Sequence, residues 1–430
     1  MLPTMRRHGW GTRLAIGLGL AWGCGGDDGG SGDTTGASSG STSTNGGDTV
    51  SMTDGPGPTS QGPADSTDGG TDPDSTGDPT GDDTTGGPIL PGPLVVYVAD
   101  GDQLVHAFSA DDAGALTSID TYDAGNNTSQ LAVHPDGLHL YATARNGGTA
   151  QIVSYEIDPS TGALTQLGAT DVGISPVYLG IDPTGQVAMI ADFGGDAIEA
   201  YAIGGDAVVT PGTTHAQAVG DEPHCILTDP SGAHAYVPHR GTNDIWQFSL
   251  DAGTGVLTPL NPPTVDAAPG AGARHLAFHP SGEHAYLSDE FSDTMTHFTR
   301  DPASGQLTRQ ESVSSIPMGF DGGMNTTADV HVSPDGAYAY ISNRGHDSLA
   351  MFAIDAADGT LTELGQVATE PTPREFDVEP GGAFVYAAGQ TSGQLAGYAL
   401  DSATGMLDPI GTTPIGGSPL WVLGVRLPSM

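Results

Sequence analysis

Five arginines, a histidine and a glutamate carry the chemistry that the sequence offers. The chain has 430 residues, with 52 Asp and Glu against 11 basic residues, all of them Arg. Eight of these Arg follow residue 24. Five of the eight, Arg145, Arg240, Arg274, Arg344 and Arg374, fall at two recurrent places in a repeat, together with His224, Glu290 and Gln390. Arginine binds carboxylate or phosphate through paired, charge-assisted hydrogen bonds, so a ring of arginines in an acidic protein predicts a small anionic ligand. Glu290 among cations is expected to be ionised. His224 has an ordinary titration near neutrality. Together they could move protons beside a polarised carbonyl. The other reading is that each arginine pairs with a neighbouring carboxylate as a clamp and that His224 is a hydrogen-bonded strand end.

Other candidates read differently. His134 and His279 each precede a turn proline and belong to the repeat. The run Asp329-Val330-His331 places two side chains on one strand face, which suits a buried pair as well as a site. No histidine spacing makes a zinc set, and there is no nucleophile elbow, glycine-rich phosphate loop or paired-cysteine motif. No cofactor and no metal are expected.

The elements that must hold these residues repeat. An aromatic recurs at Phe108, Tyr155, Tyr201, Phe248, Phe298, Phe352 and Tyr398, at spacings of 47, 46, 47, 50, 54 and 46. Eleven to 14 residues before each stands Tyr97, Tyr141, Met189, Tyr236, Tyr286, Tyr340 or Tyr386. Before every such mark but the first comes a Pro-x-Gly turn, from Pro135-Asp136-Gly137 to Pro380-Gly381-Gly382. Proline fixes φ and glycine accepts a positive one, so each is a strand–turn–strand signal. A second hairpin follows in most repeats, as in Asp158 to Leu164 and Asp301 to Leu307. Four strands in a period near 48, with no helical periodicity, predict an all-β, seven-bladed β-propeller.

The chain enters its first unit on the second strand, at Leu94, so the C-terminal Pro419–Val425 segment is expected to supply the inner strand of blade one and close the ring. Strand ends then meet on one rim. The start of the first strand reads Ser129, Val177, His224, Arg274, Ala328, Arg374 and Leu420. The end of the second reads Gly101, Arg145, Phe193, Arg240, Glu290, Arg344 and Gln390.

Upstream, Arg6, Arg7 and Arg13 precede the apolar Leu14–Trp22, the order of a secretory signal. The run Leu20-Ala21-Trp22-Gly23-Cys24 resembles a bacterial lipobox with Cys24 as the acylated residue. Residues 25–88 are almost wholly Gly, Ser, Thr, Asp and Pro, with 12 Asp. Such a stretch cannot bury enough surface to offset its ordering entropy. The expected organisation is a lipoprotein-type signal peptide over 1–23, a lipidated Cys24 with a disordered acidic linker over 24–93, and the propeller over 94–430. The protein is then exported and meets a membrane only through its lipid anchor. A net charge of −41 opposes binding to nucleic acid.

The segments Gly272-Ala273-Arg274-His275-Leu276-Ala277-Phe278-His279-Pro280, Ser288-Asp289-Glu290, Ala328-Asp329-Val330-His331, Pro373-Arg374-Glu375-Phe376-Asp377-Val378 and Ala387-Ala388-Gly389-Gln390 resemble those of the seven-bladed lactonase family. Its members include bacterial 6-phosphogluconolactonase and the fungal carboxymuconate lactonizing enzyme. The resemblance covers about residues 94–427 and implies a catalytic set of His224, Arg274, Glu290 and Arg344. Arg145, Arg240, Arg374 and Gln390 are expected to bind substrate. It departs at Phe193, where the family commonly carries Tyr, and at Pro223-His224-Cys225, which replaces a Cys-His order. The implied function is a lactone hydrolase acting on a small anionic or sugar lactone at the propeller mouth. The alternative is a non-catalytic, surface-anchored propeller that binds an anion or a protein partner.

Overall fold

The computed structural model describes residues 92–428, which form 28 strands in seven four-stranded antiparallel sheets, with no helix among the described residues. The signal-peptide, Cys24 and linker expectations lie outside the described residues, except for Gly92 and Pro93. Blade 1 takes its strands in the order Trp421–Arg426, Leu94–Ala99, Leu104–Ala110 and Leu116–Asp123. Blades 2 to 7 follow in chain order from the inner strands Leu131–Val133, Tyr178–Ile181, Leu227–Thr228, Ala273–Phe278, Thr326–Val332 and Pro373–Val378. The ring closes as the turn pattern predicts. Leu94 to Ala99 pair with Arg426 to Trp421 in antiparallel register. The closure reaches slightly further upstream than expected, because Leu427 N donates to Pro93 O at 3.0 Å and Arg426 Nη1 to Gly92 O at 3.4 Å.

The recurring tyrosine has a physical reason. Tyr97, Tyr141, Tyr236, Tyr286, Tyr340 and Tyr386 are wholly buried in the second strand of their blades. Each donates its hydroxyl to a carbonyl in the outer hairpin of the next blade: Gly162, Ala207, Gly305, Gly359, Gly405 and Gly114, at 2.6–3.0 Å. A buried phenol needs a partner, and here that partner locks neighbouring blades together. Met189 breaks the series and has no hydroxyl to give. His134 and His279 play the same kind of part, each lying 3.1 Å from a turn carbonyl of the following blade, Gly185 and Gly336. At Gly336, with φ +75°, a Cβ would lie 2.3 Å from His279 Nε2, so glycine is required by packing as well as by backbone conformation.

Two backbone devices prepare the site. The inner strands of blades 5, 6 and 7 each slip register against their second strand, between Ala273 and Leu276, between Thr327 and Val330, and between Pro373 and Glu375. A bulge of this kind re-aims side chains. In blades 5 and 6 the freed N–H groups are recovered by serine: His275 N donates to Ser288 Oγ and Asp329 N to Ser342 Oγ, both at 3.0 Å. In blades 4, 5 and 7 the residue two places before the strand-start position is left-handed: Glu222 at φ 59°, Gly272 at 73° and Thr372 at 58°. That kink comes immediately before the segment carrying His224, Arg274 and Arg374. For the β-branched Thr372 this conformation is strained, and strain of this sort persists where the surroundings over-determine it.

Candidate active site

The site is built on blades 3 to 7 around Glu290, at the end of the second strand of blade 5. Its Oε1 accepts from Arg344 Nη2 at 2.6 Å and lies 3.5 Å from Arg240 Nη1, while Oε2 is 3.8 Å from Arg274 Nε. One carboxylate thus gathers arginines from blades 4, 5 and 6. Burial pushes the Glu290 carboxyl up, but the charges of Arg344, Arg274 and Arg240 outweigh it and hold the group below its usual range. Glu290 is an anchor of fixed negative charge, as the sequence suggests.

Arg274 is wholly buried. Besides Glu290 it meets Glu375 Oε1 through Nη2 at 3.4 Å, and its Nε and Nη1 have no hydrogen-bond partner. Its guanidinium therefore acts from beneath the rim, a consequence of the blade-5 bulge, and is not a surface cation. Arg344 donates also to Thr327 O at 3.0 Å, and its Nε has no hydrogen-bond partner. Burial and the nearby Arg274 charge bring the Arg344 guanidinium down to about 10. Arg240 joins Glu222 at 3.0 Å and stacks on Phe193 at 4.5 Å and Phe291 at 5.2 Å from the ring centroids. Aromatic faces hold a guanidinium in place without neutralising it. Arg374 is half-buried at the start of the blade-7 inner strand.

His224 is 6% exposed and packs edge-on against Phe193 and His275, with ring centroids 5.6 and 5.1 Å apart. Its Nδ1 is buried with no hydrogen-bond partner. Burial, then the charges of Arg274, His275 and Arg374, depresses its titration well below the usual value, so the ring is neutral at neutral pH with a lone pair to offer.

Two expected members stand apart from this cluster. Arg145, on blade 2, spends its guanidinium on the Ser175 hydroxyl. Gln390, on blade 7, is tied in by its backbone, its N–H donating to Thr372 O at 3.0 Å and its carbonyl accepting from Ser418 Oγ at 3.2 Å. Arg240, expected with Arg145 among the substrate-binding residues, reaches Glu290. The three arginines outside the rim positions are structural. Arg300 donates to Tyr236 and pairs with Asp229, Arg309 donates to Ala267 O, and Arg426 forms a two-point pair with Glu379.

Residues 95–424 match the family model described as Lactonase, 7-bladed beta-propeller. The chain belongs to this lactonase family. A 6-phosphogluconolactonase of Serratia proteamaculans is 33% identical over 329 residues, 76% of this chain and 98% of that protein. One of Pectobacterium carotovorum is 32% identical over 285 residues, covering 66% and 84%. Among solved structures, the periplasmic gluconolactonase of Pseudomonas aeruginosa superposes with a TM-score of 0.71 at 24% identity, over 78% of this chain and 100% of that one, which bears on the fold alone.

Within this lactonase fold, sequence reasoning missed the carboxylate beneath the rim. Glu375 lies inside a segment that carries the family resemblance, yet its contact with Arg274 depends on bulges in two strands that leave the period intact. Glu222 and Phe291 were missed as well. Both flank rim residues, and Phe291 follows Glu290 directly, but nothing in the repeat singles them out. The pair Asp329–His331, left open by sequence, is an ion pair at 2.9 Å that faces the central channel.

Proposed function

We propose that the chain hydrolyses a small anionic or sugar lactone at the mouth formed by His224, Arg240, Glu290, Arg344 and Arg374. Arg344, Arg240 and Arg374 meet the anionic part of the substrate, and Arg274 adds positive potential from below the carbonyl. His224 takes a proton from water as the water oxygen bonds to the lactone carbonyl carbon. The carbonyl oxygen then carries the negative charge that the guanidiniums stabilise. When the ring C–O bond breaks, the proton on His224 passes to the departing ring oxygen, leaving a hydroxy acid that ionises in water. Glu290 keeps the arginines together and in register.

The observation that carries this reading is that a neutral imidazole nitrogen with no hydrogen-bond partner lies within one layer of several guanidiniums held by a single carboxylate. The names of the relatives make a phosphorylated sugar lactone the first substrate to try. Acid release by the purified protein from phosphorylated and plain sugar lactones tests the reading. Turnover faster on the phosphorylated lactone is expected, whereas anion affinity without turnover on any lactone would favour a binding module.

The lipobox-like run and Asp-rich stretch support export with anchoring at Cys24. Cys24→Ser should release the protein from the membrane fraction, and retention of the variant there would count against the anchor.

A further inference from the structure

Below the arginine layer, one residue further along three consecutive inner strands, His275, Asp329 and Glu375 occupy the same repeat position in blades 5, 6 and 7. All three are buried, and their ligand-type atoms lie within 4.8 Å of one another. His275 Nδ1 is 2.9 Å from Asp329 Oδ1 and 3.7 Å from Glu375 Oε2. Around an ion held at about 2.1 Å, ligand atoms sit roughly 3.0 to 3.4 Å apart in octahedral or tetrahedral geometry. The two distances bracket that range. The other nitrogen of His275, Nε2, is buried without a hydrogen-bond partner, and with Nδ1 on the ion it would carry the ring proton.

The three groups line one wall of a cavity of about 270 Å³ on the propeller axis, whose other walls include Tyr178, Trp421, Leu131, Leu179 and Leu227. His331, on the same wall, has one third of its side chain open to solvent, which gives a path from the face opposite the arginines. Asp329 is also paired with His331 at 2.9 Å and Glu375 with Arg274 at 3.4 Å, so each carboxylate keeps a cationic neighbour on its far side while its other oxygen faces His275.

We infer that His275, Asp329 and Glu375 form a site for one divalent first-row metal ion, of the manganese-to-zinc group, on the channel side of the arginine layer. One imidazole nitrogen with two carboxylate oxygens is a mixed set of intermediate softness, which suits these ions better than calcium, whose ligands are oxygens alone. The remaining coordination positions open on the cavity. The ion takes the Nδ1 lone pair in place of the hydrogen bond to Asp329, and it ties together the three bulged strands. Arg274, next to Glu375, keeps its charge balance through Glu290. The inference stands apart from lactone hydrolysis and is tested without it.

The full chain, stripped with chelator, is titrated with Co²⁺ and its visible absorption is recorded. One ion per chain is expected, with ligand-field bands and no thiolate charge-transfer band. The half-exposed group His134, Asp136 and His139 offers a competing surface site, so the titration is repeated in His139→Ala, where the single site should persist. Asp329→Asn and Glu375→Gln should each weaken binding tenfold or more. If these variants fail to fold by circular dichroism, the wild type decides. Trp421 lies 6.2 Å from the His275 ring, so its emission, isolated by difference from Trp421→Phe, should be quenched by stoichiometric Co²⁺. Unchanged Trp421 emission, the absence of a stoichiometric ion, or a site lost in His139→Ala and kept in Asp329→Asn would overturn the assignment.

Discussion

At the level of single residues, neighbouring acids on one strand end have opposite fates. Glu290 is ionised by surrounding guanidiniums. Asp289 is held by hydroxyls only, Thr294 and Thr296 donating to its Oδ2 at 2.7 and 2.5 Å, and its Oδ1 has no hydrogen-bond partner. Burial lifts the Asp289 carboxyl to about 6. A folded-state value above the unfolded one means that the folded state binds the proton more tightly, so stability falls as pH rises from about 4 to 6 and stays lowered above that. Asp289→Asn should therefore raise the thermal midpoint at pH 7 to 8, with the advantage shrinking toward pH 4. Midpoints measured across that range check it, and a variant less stable at pH 8 than at pH 4 relative to wild type would contradict it. The charged set itself was legible, because arginine is scarce in this chain and its places recur. The depth of Arg274 was not, since depth comes from a backbone bulge and not from residue type.

At the level of elements, periodicity carried most of the information. The tyrosine mark and the Pro-x-Gly turn predict strands, and the structure shows the mark to be a blade-to-blade hydrogen bond. The bulges were invisible because one extra residue in a short strand leaves the period intact. In blades 5 and 6 their trace is the serine opposite, Ser288 and Ser342, whereas blade 7 has Ala388 at the equivalent place. Ser288 Oγ accepts from His275 N and donates to Ala328 O at 2.7 Å in the next blade. Ser288→Ala leaves a buried N–H and a carbonyl short of partners, and is expected to cost about 1–3 kcal/mol. Chemical denaturation measures this. A change below about 0.5 kcal/mol would mean that the bulge does not depend on the serine.

At the level of the whole molecule, closure joins the two ends of the domain, and the split first blade was readable because the chain starts out of phase with its own repeat. Truncation before Gly417 removes Trp421–Arg426 and leaves Leu94–Ala99 unpaired on one edge. It should abolish cooperative unfolding and cause aggregation. An unchanged thermal midpoint would refute the dependence on closure. The central claim is that one mouth, organised by Glu290, performs hydrolysis with His224 as base. The most direct measurement is kcat on a phosphorylated sugar lactone for wild type, His224→Gln and Glu290→Gln, with folding checked alongside. Each variant is expected to lose about 10² or more in kcat, roughly 3 kcal/mol of transition-state stabilisation, while ligand binding stays detectable. A wild type that turns over with both variants at full rate would place the chemistry elsewhere.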